Sequence, residues 1–262
     1  MTGLNRRTIM KGDAPGYRGE HQIQEYYNAA NKTIERKVRG IIMKQPCPYP
    51  EDSQRTFLTL WASACREGEA IMLHPDDFKW DAMGFGSPKI PVLKKREKVR
   101  DETGEIIYKE VTSRVRQQDG SIMDQIIYRP ESKRKLEYRE HLVPRDMPLI
   151  EEFIKILTSL QENGYKYILY RHTPWQRFEV KDEPCSTTIV QDRINELHPK
   201  LVPHGIRGLH IRYLYDRAKK DPMFKFDIPE LKKHLKWSSD SMAVYYLSSQ
   251  ELADKMGITK PW

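Results

Sequence analysis

The sequence predicts an α+β fold, mainly α, in which helical segments at either end of the chain flank a small inserted antiparallel β-sheet. Two patterns and one count lead there. Apolar residues recur at helical spacing up to residue 77 and again after Pro148, whereas from Phe78 to Pro144 short β-type runs alternate with turn residues. Five Trp, 14 Tyr and seven Phe in 262 residues supply the anchors that a disordered chain lacks, although 31% of the residues are charged.

Residues 1 to 19 are basic, Gly-bearing and aperiodic, and read as a flexible arm. From His21 to Lys44 the positions Ile23, Tyr26, Tyr27, Ala30, Ile34, Val38 and Ile41 keep a helical interval and predict one amphipathic helix. Pro46, Pro48 and Pro50 break it. Glu51, Asp52 and Ser53 open the next helix, whose apolar face of Phe57, Leu58, Leu60, Trp61 and Ala64 runs up to Cys65 and Arg66, before His74, Pro75, Asp76 and Asp77 close the segment. Strand-like runs follow at Lys89 to Leu93, Glu105 to Val111, Ser121 to Tyr128 and Lys135 to Val143, with turns at Asp101 to Gly104 and Gln117 to Gly120. Helices return at Leu149 to Asn163, Ser186 to Leu197, Gly205 to Lys219, Ile228 to Leu235 and Ser239 to Met256, and a short strand is expected at Tyr165 to Tyr170.

Composition narrows the function. The chain carries 45 Lys plus Arg against 37 Asp plus Glu, a formal +8. From Pro88 to Arg145, 15 Lys and Arg face 10 Asp and Glu, so 15 − 10 = +5 of that excess lies on the expected sheet. Concentrated positive charge is either a solvated β surface or the footprint of a nucleic-acid backbone. No run approaches the roughly 18 apolar residues of a membrane span, and the first 20 residues lack a signal peptide's apolar core, so a cytoplasmic chain is expected. Cys47, Cys65 and Cys185 show no C-x-x-C spacing, which fits reduced thiols and excludes a cysteine-built zinc site.

G-x-x-x-x-G-K-[ST], G-x-G-x-x-G, H-E-x-x-H and G-x-S-x-G are all missing, which leaves nucleotide hydrolysis and zinc-peptidase chemistry without support. What remains is an ordered set of Arg, Lys, His, Trp and Tyr. Arg66 ends an apolar helix, where a guanidinium is costly unless it meets an anion or a carboxylate, and Glu69 lies three residues on. Alone, that pair also reads as a helix-surface ion pair. Pro203 starts a helix that places His204 and Arg207 on one side of its first turn, a pattern that arises easily by accident. Near the C-terminus, Trp237 precedes Tyr246 by nine residues, and both also suit a packed terminal helix.

Taken in order, these pieces resemble the tyrosine recombinase (phage integrase) family. That family carries R-x-x-E, a hairpin Lys, H-x-x-R on a later helix, a His or Trp, and a Tyr nine residues after it. Here they are Arg66 with Glu69, then Leu73, Asp76, Asp77 and Phe78 leading into the sheet, His204 with Arg207, and Trp237 with Tyr246, over about Pro46 to Leu252. The strand Arg139-Glu140-His141-Leu142-Val143-Pro144 resembles the one following the family's lysine, which makes Lys133 the first candidate and Lys135 the second, with Lys95 and Lys98 on an earlier strand.

The resemblance implies a helical catalytic domain over residues 46–252, a reduced DNA-clamping arm and helix over 1–45, and a C-terminal tail over 253–262. It also implies a site-specific recombinase or integrase acting on double-stranded DNA through a 3′-phosphotyrosyl intermediate. That enzyme is a homotetramer on DNA, associated with the nucleoid and not with a membrane, and uses neither cofactor nor metal. Arg66 and Arg207 then hold the nonbridging phosphate oxygens, Lys133 protonates the leaving oxygen, His204 assists proton transfer, Trp237 donates its indole N–H, and Tyr246 attacks. Tyr245, one position away, points about 100° aside on a helix. A telomere resolvase, a type IB topoisomerase and a non-catalytic DNA-binding relative share parts of this pattern.

Overall fold

In a computed structural model of the protein, described for residues 19–38, 41–81, 84–93, 96–116, 121–134, 137–140, 143–173, 178–198, 201–221, 224 and 227–235, the first helix is shorter than its apolar pattern. Helix α1 (Glu20–Ala29) ends early, and Thr33–Val38 (β1) and Ile41–Pro46 (β2) form an antiparallel hairpin in its place. Val38 pairs with Ile41 in that hairpin, so their three-residue interval, read as helical, spans two paired strands instead. The β-branched residues Thr33, Ile34, Val38, Ile41 and Ile42 favour this outcome. The arm over residues 1 to 18 and the helix over Ser239 to Met256 lie outside the described residues.

The described residues fall into two units, one drawn from Met1–Ile90 and Arg139–Trp262, the other Pro91–Tyr138. In the first unit, α2 (Pro50–Ser63) packs against α4 (Ile150–Glu162), α5 (Thr187–Leu197) and α6 (Pro203–Lys220). Phe57, Leu58, Leu60 and Trp61 of α2 are fully buried, each burial stabilising the fold by roughly 1.5–3 kcal/mol. Ile23 and Tyr26 of α1 join this core, as do Phe153, Leu157, Val190, Ile194, Ile206, Ile211 and Leu214, together with Leu231 and Leu235 of α7 (Ile228–Leu235). The Trp61 indole donates to the Pro148 carbonyl at 2.9 Å, satisfying the one polar atom that its burial removes from water.

The N-terminal end of α2 is held by charge. Ser53 donates to Glu196 of α5 at 2.6 Å, Arg193 donates to the other oxygen of Glu196 at 2.9 Å, and Asp52 meets His172 at 2.9 Å. α5 opens at Ser186, whose hydroxyl accepts the Ile189 amide, as its sequence position predicts. His172 lies on β11 (Tyr170–Thr173), which pairs with β12 (Phe178–Pro184), a partner strand that the sequence pattern did not reveal. Among the described residues the twelve strands outnumber the seven α-helices, although the helices hold more of the residues, and this is more strand than the expected inserted sheet. No helix among them is long and apolar enough to cross a membrane.

The strand region is several small antiparallel ladders. β3 (Phe78–Trp80), β4 (Phe85–Val92) and β10 (Val143–Pro144) form one, with β9 (Glu137–Glu140) also paired to β4. Gly86 faces the Trp80 ring so closely that an added Cβ would sit 2.6 Å from it. Within the second unit, β5 (Arg96–Lys98) pairs with β8 (Ser132–Arg134), and β6 (Tyr108–Arg116) pairs with β7 (Ile122–Pro130) in a nine-residue ribbon. The expected turn forms where Asp101 accepts the amides of Thr103 and Glu105, both at 2.9 Å, and Gly104 takes a left-handed φ of 89°. The expected Gln117–Gly120 turn falls outside the described residues. Tyr108, Ile122, Met123, Ile126 and Tyr128 of the ribbon are each more than half exposed.

Candidate active site

Helix α2 stops at Ser63, three residues before Arg66. Ala64 turns left-handed (φ 48°) and returns its amide to the Leu60 carbonyl at 3.0 Å, which ends the helix. Arg66 therefore does not continue the apolar helix, as its sequence position implied. It stands extended, as the N-cap of the short turn α3 (Glu67–Ala70). The R-x-x-E interval then acts twice. Glu69 Oε2 accepts the Arg66 backbone amide at 3.0 Å and Oε1 accepts Arg66 Nη1 at 2.9 Å, so one carboxylate caps the turn and orients the guanidinium.

Arg207 arrives from α6, where Pro203 occupies the first helical turn and pre-sets its backbone. It is fully buried, and its Nη1 lies 3.9 Å from Glu69 Oε2. Arg66 and Arg207, far apart in sequence, therefore converge on Glu69, which is 2% exposed. Arg66 keeps a fifth of its side chain in solvent. His204 stands half-buried on the first turn of α6, three residues before Arg207 and on the same helical side.

A third guanidinium completes the centre. Arg139 of β9 is buried, with Nη2 3.9 Å from Glu69 Oε2. These four side chains carry 3 − 1 = +2, a field suited to an anion. Burial pushes the Arg139 guanidinium below its usual range, while Cys65 and Glu69 act in the opposite direction. The field also reaches two buried histidines. His210 donates Nδ1–H to the Trp61 carbonyl at 2.5 Å, since a carbonyl only accepts, and its ring lies 5.7 Å from that of His234. Burial, with Arg139 and Arg207 alongside, brings His210 down to about 3. His234 falls well below 6.5 through burial and then through His210, Arg139 and Arg207. Burial likewise raises the Cys65 thiol to about 11, against the pull of Arg139.

Lys133 lies on β8 opposite Glu97, and Lys98 on β5 opposite Ser132, both in the second unit. Lys95, Lys135, Trp237, Tyr245 and Tyr246 lie outside the described residues. Sequence reasoning missed Arg139, His210 and His234 as members of the centre. The signal was faint: an Arg in a strand leading to Val143, and histidines at apolar positions of α6 and α7. Among the described residues, no group of three or more His, Cys, Asp or Glu is placed to hold a metal ion.

No family model and no curated protein matches the sequence. Among solved structures, the chain is similar to XerH site-specific recombinase bound to palindromic difH substrate in a post-cleavage complex, at 12% identity and a TM-score of 0.48, over 94% of this chain and 53% of that one. It is also similar to XerA recombinase, at 14% identity and a TM-score of 0.46, over 93% and 64% of the two chains. A third is a lambda integrase(75-356) dimer bound to a COC' core site, at 12% identity and a TM-score of 0.44, over 94% and 65%. The chain spans about half the length of the XerH chains it matches. Likeness at these values carries no chemistry, and the chemical reading rests on the arginines gathered at Glu69.

Proposed function

We propose that the chain is a DNA strand transferase of the tyrosine-recombinase type, a site-specific recombinase or integrase that cleaves and rejoins double-stranded DNA. The observation that supports this reading is the convergence of Arg66 and Arg207 on one buried carboxylate, since the R-x-x-E and H-x-x-R motifs have a shared purpose only if their arginines meet. Two guanidiniums side by side bind the nonbridging oxygens of a phosphodiester and offset the charge that grows on them in the pentacoordinate state.

In this reading the Tyr246 oxygen bonds to phosphorus as the bond from phosphorus to the 5′ oxygen breaks. His204 assists removal of the phenolic proton, Lys133 or Lys135 protonates the 5′ oxygen, and Trp237 donates its indole N–H to the phosphate. The 3′-phosphotyrosine keeps the bond energy, so attack by a 5′ hydroxyl reverses the step without ATP. The reaction so drawn uses protein groups alone. The catalytic part spans 46–252, residues 1–45 clamp the duplex, 253–262 dock on a neighbouring protomer, and the assembly on DNA is a homotetramer.

A pool of nicked suicide duplexes with randomised cores tests this. Covalent protein–DNA adducts that resist denaturing detergent are expected from the native chain, lost in Tyr246→Phe and kept in Tyr245→Phe. Binding to the pool without any adduct identifies a DNA-binding protein and overturns the enzyme.

A further inference from the structure

Arg139 belongs to none of the motifs, yet its guanidinium joins three chain segments. Nη2 donates to the carbonyls of Ser63 at 3.1 Å and Ala64 at 3.0 Å, the end of α2 and the left-handed residue beyond it. Nη1 donates to the His234 carbonyl at 3.2 Å, near the end of α7. The same group faces Glu69 and lies within 3.9 Å of the Cys65 sulfur. Carbonyls at helix ends lack partners within the helix, and a planar fork of five donors meets several of them at once, which a lysine ammonium cannot. The left-handed Ala64 is also a strained conformation for a residue with a Cβ and persists only while its surroundings hold it. Arg66 follows two residues later, and Trp237 lies three residues past His234.

We propose that Arg139 is the positioning residue of this centre, fastening the Ala64 turn to the end of α7 so that Arg66 is presented at fixed geometry beside Glu69 and Arg207. The inference rests on the strand-transfer reading and adds to it a residue that touches no DNA. It acts through Arg66.

The test uses the full chain and a nicked duplex selected for adduct formation with the native protein. Arg139→Lys is expected to unfold cooperatively, to bind the duplex as the native protein does, and to form adduct at least about tenfold more slowly in single turnover, because small misplacements of a binding group carry that penalty. In a double variant, Arg66→Ala with Arg139→Lys is expected to be no slower than Arg66→Ala alone by more than about twofold, since coupled residues are not additive. Full additivity, or a native rate in Arg139→Lys, overturns the inference while leaving the enzyme intact. Arg139→Gln serves if the lysine variant does not fold, and if neither folds Arg139 is a stability residue and the inference fails. A native protein that forms no adduct overturns the strand-transfer reading and this inference with it.

Discussion

Arg66 and Arg207 reach opposite oxygens of a single buried carboxylate: Arg66 Nη1 lies 2.9 Å from Glu69 Oε1, and Arg207 Nη1 lies 3.9 Å from Glu69 Oε2. Like charges repel, and the repulsion is screened less inside a protein than in water, so the carboxylate is what allows two guanidiniums to share the space.

Glu69→Gln keeps the volume and removes that charge. Breaking one partner of a buried ion pair costs about 3–5 kcal/mol, so the urea midpoint of this variant is expected to drop sharply at pH 7.5. A variant as stable as the native chain contradicts the assignment of Glu69 as the brace.

The two arginines are expected to differ in stability and agree in chemistry. Arg66→Ala removes a partly exposed side chain and Arg207→Ala a fully buried one, so the second variant loses more stability by thermal unfolding. Each is expected to slow adduct formation by about a hundredfold or more, the loss seen when one transition-state donor is deleted. Native cleavage rates in either variant remove that arginine from the reaction.

Acid is expected to weaken the fold through His210 and His234. The unfolded chain binds a proton on each near pH 6.5, whereas the native state holds His210 neutral down to about 3 and His234 neutral well below 6.5. The unfolded state thus carries more protons in that window. Stability is full above about pH 6.5 and declines as the pH falls, by at most about 1.4 kcal/mol per unit per histidine. Urea midpoints at pH 7 and pH 5 measure this, and His234→Phe is expected to reduce the slope; equal midpoints contradict it.

The thiols are expected to be silent in the native chain. Cys47, Cys65 and Cys185 are all buried, and burial raises Cys65 and Cys185 to about 11 and Cys47 in the same direction. A thiol reagent at pH 7.5 is expected to label native protein slowly and all three cysteines quickly in denaturant. Rapid labelling of Cys65 without denaturant contradicts the packing around Arg139.

Long periodic segments were legible from the chain itself: α4, α5, α6 and α7 lie where their apolar spacing puts them, because that signal acts within one or two turns. The hairpin at Thr33 to Pro46 was misread because Val38 and Ile41, three residues apart, face each other across two strands, and β12 escaped notice because four of the five residues from Glu179 to Glu183 are charged. At the centre, the intervals R-x-x-E and H-x-x-R determined which side chains share a turn, a local matter of backbone geometry. Only tertiary structure decided that these turns face each other across Glu69, that α2 stops at Ser63, and that Arg139 and two neutral histidines complete the interior, because those outcomes depend on packing between residues whose separation along the chain leaves no periodic trace.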